Sequence, residues 1–165
     1  VTEVSQVAKE IERKYLLTGL PKELKALAYA SFNTDHGWLP GDIIQERITF
    51  SGKSDKFFRV IKTGKGLERI EAQEEISIDL FASLWPLTKG KRVSKIRYLV
   101  PVEDGLIWEI DDFLDRDLQM AEIEIPSVDY QVNLPTWLGD YVVREVTEEP
   151  AFLNIKLAEG KHVPI

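Results

Sequence analysis

The sequence predicts a mainly β protein of the α+β class: a closed eight-stranded antiparallel β-barrel, forming a tunnel, with a few short helices outside it and at the C-terminus. Three observations predict it. Most patterned runs alternate polar and apolar residues at period two, which sends the two kinds to opposite faces of a strand. Turn residues separate the runs at hairpin distances, as at Pro40-Gly41, Ser51-Gly52, Gly64-Lys65-Gly66 and Asp104-Gly105. Nearly every polar-face position of these runs that is able to ionise is Glu, Asp, Arg or Lys, in ordered doublets of one sign.

The elements follow in order. The run Glu10 to Leu17, "EIERKYLL", is the first strand. "LPKELKALAYA" has helical composition around Glu23 to Ala28, with Pro21 suited to a first turn. Seven more runs read as strands: "SFNTDHGWL", "IIQERITF", "KFFRVIK", "GLERIEAQEEIS", "RVSKIRYLVP", "LIWEIDD" and "LQMAEIEIP". "SIDLFASLWPL" interrupts them with Leu80, Leu84 and Leu87 at helical spacing, and the tail after Pro150 predicts a last helix. No repeat or linker divides the chain, and 165 residues with 44% hydrophobic content fit a single domain over 1–165.

Composition narrows the chemistry. The absence of cysteine excludes disulfides and thiolate metal sites, and two histidines, His36 and His162, are too few for an imidazole-based zinc site. A metal would therefore be held by carboxylates, which favours hard ions such as magnesium, manganese or calcium. A net charge of -7 argues against a nucleic-acid partner. With neither a signal-peptide pattern nor a long apolar run, the expected setting is cytoplasmic, with no membrane partner.

The charged doublets carry the functional expectation. Glu10, Glu12 and Lys14 share one face of the first strand. The pattern recurs with Arg69, Glu71, Gln73 and Glu75, with Lys95 and Arg97, with Glu109 and Asp111, and with Glu122 and Glu124; Arg47 and Lys62 extend it. A sheet with its charged face in water is the ordinary arrangement. Closure of eight strands turns one face inward, and a lumen carrying this charge needs a ligand. Like charges about 5 Å apart repel by roughly 3 kcal/mol at an effective dielectric near 20, which a divalent cation relieves for the acids. The basic set calls for a compact polyanion, and Arg and Lys suit phosphate.

These residues resemble the CYTH family, the triphosphate tunnel metalloenzymes. "EIERK" matches the family's ExExK signature near the N-terminus. It is followed by "HGWL", Gln45-Glu46-Arg47, Lys62 ending a Phe-rich strand, Arg69-x-Glu71, "LWP", Lys95-x-Arg97-Tyr98, Glu109-x-Asp111 and Glu122-x-Glu124. The resemblance covers nearly the whole chain. It implies a tunnel binding a triphosphate group and Mg2+ or Mn2+. By the same resemblance Glu10, Glu12, Glu71, Asp111, Glu122 and Glu124 would hold metal, and Lys14, Arg47, Lys62, Arg69, Lys95 and Arg97 would bind substrate. Glu109, Asp111 and Lys14 would be the catalytic residues.

The implied activity is metal-dependent hydrolysis of inorganic triphosphate or a related organic triphosphate. A CYTH-type adenylyl cyclase is the enzymatic alternative, and a non-catalytic module for triphosphate, polyphosphate or nucleotide is the third. Departures from the family pattern are Gln73 for a second Glu, Gln45 for the first Arg of a pair, and Ala151 and Leu153 at often-basic positions of the C-terminal segment. "KTGKG" lacks Walker spacing and reads as a hairpin turn, the four tryptophans read as packing, and His36 reads as a turn or lumen-edge residue. An apolar outer barrel wall would suit a homodimer, though no strand is singled out.

Overall fold

The computed structural model describes residues 5–41, 44–64 and 66–160; the expectations resting on Ile43, Lys65 and His162 fall outside it. Among the described residues the strands are β1 (Ser5–Leu17), β2 (Ala30–Trp38), β3 (Glu46–Ser51), β4 (Lys56–Thr63), β5 (Glu68–Ile76), β6 (Arg92–Pro101), β7 (Ile107–Phe113), β8 (Gln119–Glu124) and β9 (Val142–Glu145). The hydrogen-bonded order β5-β4-β3-β2-β6-β7-β8-β1 closes through an antiparallel β1–β5 pairing, giving the expected eight-stranded barrel. The ninth strand is an addition the sequence did not announce.

Closure depends on the length of β1. Its first half pairs with β5 from Ser5 to Ile11, and its other edge pairs with β8 from Glu12 to Leu16. Where β5 ends, β9 continues beside Tyr15 to Leu17, with a register shift between Leu16 and Leu17. No single neighbour could cover a strand of 13 residues, so β9 satisfies backbone groups that β5 leaves open.

The helices α1 (Leu24–Leu27), α2 (Ile78–Leu84), α3 (Thr136–Gly139) and α4 (Asn154–Ala158) are all short. At these lengths they owe their existence to tertiary packing and caps. Ser77 caps α2, its Oγ accepting the Leu80 N–H at 3.1 Å. The segment Trp85–Thr88 that follows forms a 3-10 turn against β2 at Gly37. A Cβ at Gly37 would lie 2.5 Å from Thr88 Oγ1 and 2.8 Å from the Trp85 ring, so only glycine admits that approach. Among the described residues, no helix is long and apolar enough to cross a membrane.

Two apolar clusters bracket the charged lumen. On the outer wall Ile11, Tyr15, Trp108, Ile110, Ala121 and Ile123 from β1, β7 and β8 pack with Leu24 and Leu138 of α1 and α3. Short helices cover the apolar outer face here but not along the first half of β1 and its neighbour β5, where Val7 and Ile70 are exposed. Inside, Leu16, Trp38, Val93, Phe113 and Met120 share the parity of the lumen charges and gather with Phe152, Leu157 and Ala158 of the C-terminal segment. The lumen therefore has an apolar floor, and the charged residues sit on the rungs above it.

Candidate active site

The rungs above the floor enclose a cavity of about 380 Å³. Every strand of the barrel contributes to its wall, because period-two alternation places every second side chain inside. Glu10, Glu12, Arg47, Lys62, Glu71, Lys95, Arg97, Glu109, Glu122 and Glu124 all line it. Arg69 faces a smaller adjoining cavity that shares Arg47 and Lys62. Lys14 and Asp111 lie beneath the surface, both buried.

Register brings the acids together. Glu12 stands opposite Glu124 and Lys14 opposite Glu122 on the β1–β8 ladder, while Glu109 stands opposite Glu122 on β7–β8. One carboxylate oxygen from each of Glu12, Glu109 and Glu122 falls within 4.8 Å of the others. Lys14 supports this triad from behind, with Nζ 3.4 Å from Glu12 and 3.8 Å from Glu122. The Lys14 backbone is pinned in turn by Thr147, whose Oγ1 accepts its N–H at 3.0 Å.

A second network surrounds Asp111. Its Oδ2 accepts from Lys95 Nζ at 2.7 Å, and Arg97 donates to both its oxygens at 2.7 and 2.8 Å. The same guanidinium reaches Glu109 at 2.7 Å and Glu122 at 3.2 Å. A third group joins Lys62 to Glu10 at 3.0 Å and to Glu71 at 3.2 Å. Arg47 and Arg69 differ from the other cations: neither forms an ion pair with a described residue, and the Nε of each is buried without a partner.

Charge and burial then set the ionisation of the site. Burial pushes Glu109 up to about 7, with Glu122, Asp111 and Glu12 adding to the rise against the pull of Arg97. Glu12 is also raised, by burial and by Glu122. Burial works against the charge of Glu122, but Lys14 and Arg97 overcome it and hold this carboxyl well below the usual range. Asp111 is likewise lowered, its burial outweighed by Arg97 and Lys95. The triad thus combines one firmly ionised carboxylate with two that resist ionisation.

Chains related to this one carry the same architecture. It is 35% identical over 156 residues to an inorganic triphosphatase of Nitrosomonas europaea, covering 90% of this chain and 96% of that one. An inorganic triphosphatase of Acetivibrio thermocellus is 30% identical, covering 94% and 97% of the two chains. The chain belongs to the triphosphate tunnel metalloenzyme (CYTH) family. No protein-family model matches it. A crystal structure of an inorganic triphosphatase superposes with a TM-score of 0.65 at 30% identity, covering 94% of this chain and 99% of that one.

Relative to the CYTH pattern, the structure adds residues that charge alternation did not flag. Thr34, Thr49 and Ser51 form a hydroxyl wall on β2 and β3, and Asn154 of α4 reaches both cavities. Their parity with His36 and Arg47 was the available signal, but neutral residues on a strand read as ordinary sheet composition. The departures Ala151 and Leu153 flank the apolar floor and the smaller cavity respectively, on the C-terminal segment that also supplies Asn154.

Proposed function

We propose that this protein is a divalent-metal-dependent triphosphatase that hydrolyses inorganic triphosphate, or a related organic triphosphate, inside its barrel. The observation that carries the reading is an acidic triad in one cavity with Arg47, and Arg69 in the cavity adjoining it, the Nε of each arginine buried without a partner. The relatives named inorganic triphosphatase, similar over nearly their full length, support the same activity.

Three carboxylate oxygens from Glu12, Glu109 and Glu122 form a hard donor set of the kind that suits Mg2+ or Mn2+. A bound ion would neutralise phosphate oxygens and acidify a water molecule. Lys14 favours the ionised forms of Glu12 and Glu122 for that purpose. Glu10 and Glu71 pair with Lys62, and together with Glu124 they would hold a second ion if one binds. Both oxygens of Asp111 are committed to cations, so its part is to hold Arg97 and Lys95 in the orientation the substrate meets.

Arg47, Lys62, Arg69, Lys95 and Arg97 would grip the oligophosphate through charge-assisted hydrogen bonds. Glu109 is the least buried member of the triad and orients the attacking water. Attack forms an oxygen–phosphorus bond at a terminal phosphoryl group and breaks its bridging phosphorus–oxygen bond. Orthophosphate and the shortened phosphate leave, and the water proton passes to Glu109. Catalysis of this kind rests on positioning and charge neutralisation.

The test is phosphate release from inorganic triphosphate, ATP and thiamine triphosphate, each with Mg2+ or Mn2+ and with EDTA as control. Metal-dependent release from inorganic triphosphate is expected. Thermal stabilisation by triphosphate with no release from any substrate would replace the enzyme with a binding module, and cyclic AMP formed from ATP would replace it with a cyclase.

A further inference from the structure

Two titratable groups of the cavity wall are left without a role, the exposed Lys53 and the buried His36. His36 lies on β2 in the cavity wall, 5% exposed, between Thr34 and Trp38 on the inward face. Its Nδ1 is 2.7 Å from Thr49 Oγ1, and its ring stands edge-on to Trp38 with centroids 6.0 Å apart. Its Nε2 has no hydrogen-bond partner among the described residues. The ring is therefore fixed on one side and free on the side available to a ligand.

The groups around it are cations. Arg47 faces it from β3, Lys62 from β4, and Lys95 and Arg97 from β6; Thr49, also on β3, is neutral. Burial first, and then these four charges, hold the imidazole well below its ordinary range. Three of these cations already meet acids, Lys95 and Arg97 at Asp111, Arg97 also at Glu109, and Lys62 at Glu10, so Arg47 is the one whose charge no described carboxylate pairs with directly. An oligophosphate entering this cavity brings several negative charges into the same space. Negative charge beside the ring favours its imidazolium form.

We propose that His36 is a phosphate-binding residue whose imidazole gains a proton from solvent as the oligophosphate enters, so that substrate capture is coupled to proton uptake. Thr49 sets the ring plane through Nδ1, and the protonated Nε2–H donates to a phosphate oxygen. This rests on the triphosphatase reading of the cavity. Coupling has a direct consequence for specificity: a ligand carrying less negative charge cannot repay the cost of charging the ring, so orthophosphate engages His36 less than triphosphate does.

Nitrogen-15 NMR of the histidine rings tests the idea, because the chain has two histidines and His36→Gln assigns the signals. In EDTA, which blocks turnover, the His36 ring is expected to be neutral at pH 7 in the free protein and to show the imidazolium signature at saturating triphosphate. With metal restored, His36→Gln is expected to raise KM for triphosphate about tenfold at pH 7, the factor expected when roughly nine complexes in ten hold the proton at that pH and almost none of the free protein does, with kcat little changed. The difference should shrink toward pH 9.

A ring that stays neutral in the saturated complex would overturn this inference and leave the triphosphatase reading intact. If triphosphate neither shifts any resonance nor raises the melting temperature, with or without metal, the cavity is not a triphosphate site and both readings fall. A His36→Gln variant whose KM defect is the same at pH 7 and pH 9 would show a purely steric role and would also overturn the coupling.

Discussion

Arg97 clasps Asp111 through two hydrogen bonds, Nε to Oδ1 at 2.7 Å and Nη2 to Oδ2 at 2.8 Å, while Lys95 closes the same carboxylate at 2.7 Å. Asp111 and Lys95 are almost completely buried. The three residues come from adjacent strands, with Arg97 directly opposite Asp111 on the β6–β7 ladder. An inward-facing aspartate thus fixes two of the cations offered to the cavity.

Removing that aspartate leaves buried charge uncompensated. Asp111→Ala is expected to destabilise the protein by about 3–5 kcal/mol, the range for breaking one side of a buried ion pair. Asp111→Asn keeps the volume and a single acceptor, and is expected to cost less while releasing Arg97. Urea denaturation of both variants checks this. A loss below about 1 kcal/mol in Asp111→Ala would show that water enters readily and that the pair does not organise the site.

Glu12, Glu109 and Glu122 act as a unit around one ion in our reading. Glu12→Gln or Glu122→Gln is expected to raise the Mg2+ or Mn2+ concentration needed for half-maximal activity at least about tenfold, as lost ligands and their supports commonly do. Glu75→Gln is the control, since Glu75 pairs with Lys56 near the rim and belongs to neither cavity. Metal titrations of phosphate release compare them. An unchanged metal requirement in Glu12→Gln would remove the triad as the metal site.

The barrel was legible because its sequence alternates so strictly. Glu10, Glu12 and Lys14 could share a face only in a strand, and the same signature in Lys95/Arg97, Glu109/Asp111 and Glu122/Glu124 marked the lumen. The ninth strand was not legible: Val142 to Glu145 is too short to show a period, and its place is set by the unpaired end of β1. The apolar floor was hidden for a related reason. Leu16, Val93, Phe113 and Met120 continue the charged faces with apolar residues, and only the three-dimensional position of the C-terminal segment shows why. Pairing partners were equally inaccessible, since which carboxylate meets which cation depends on cross-strand register.

Arg47 illustrates a site held at a cost to stability. Its guanidinium is pushed toward deprotonation by burial, its Nε is unpartnered, and Glu71 and Glu10 attract it only from a distance. Replacing it with the similarly long but uncharged methionine removes a poorly satisfied donor, a gain of about 1–3 kcal/mol. Arg47→Met is therefore expected to melt higher than the parent without ligand, yet to be stabilised less by triphosphate. Thermal melts with and without triphosphate measure both effects. A variant that melts lower and responds to triphosphate like the parent would contradict the assignment.

Glu109 gives the metal-free protein a distinctive pH response. Burial, reinforced by Glu122, Asp111 and Glu12, lifts its carboxyl from 4.5 in a free chain to about 7, so the folded state binds a proton that the unfolded state has released. Stability contributed by this group is therefore present at low pH and declines as pH rises from about 4.5 to about 7. The decline is at most roughly 3 kcal/mol, because one proton held only by the folded state changes stability by about 1.36 kcal/mol for each pH step of one. Neighbours such as Glu122 and Asp111, which are held low, slope the other way, so the quantity to measure is the difference between the parent and Glu109→Gln. In EDTA, urea midpoints across pH 4.5–7.5 are expected to show the variant gaining on the parent as pH rises. Added Mg2+ favours the ionised carboxylate and is expected to restore the parent above pH 7 while leaving Glu109→Gln nearly unmoved. A constant difference across that range would mean that Glu109 ionises in the folded protein as it does in the unfolded chain, and that its place in the acidic triad exerts no strain for an ion to relieve.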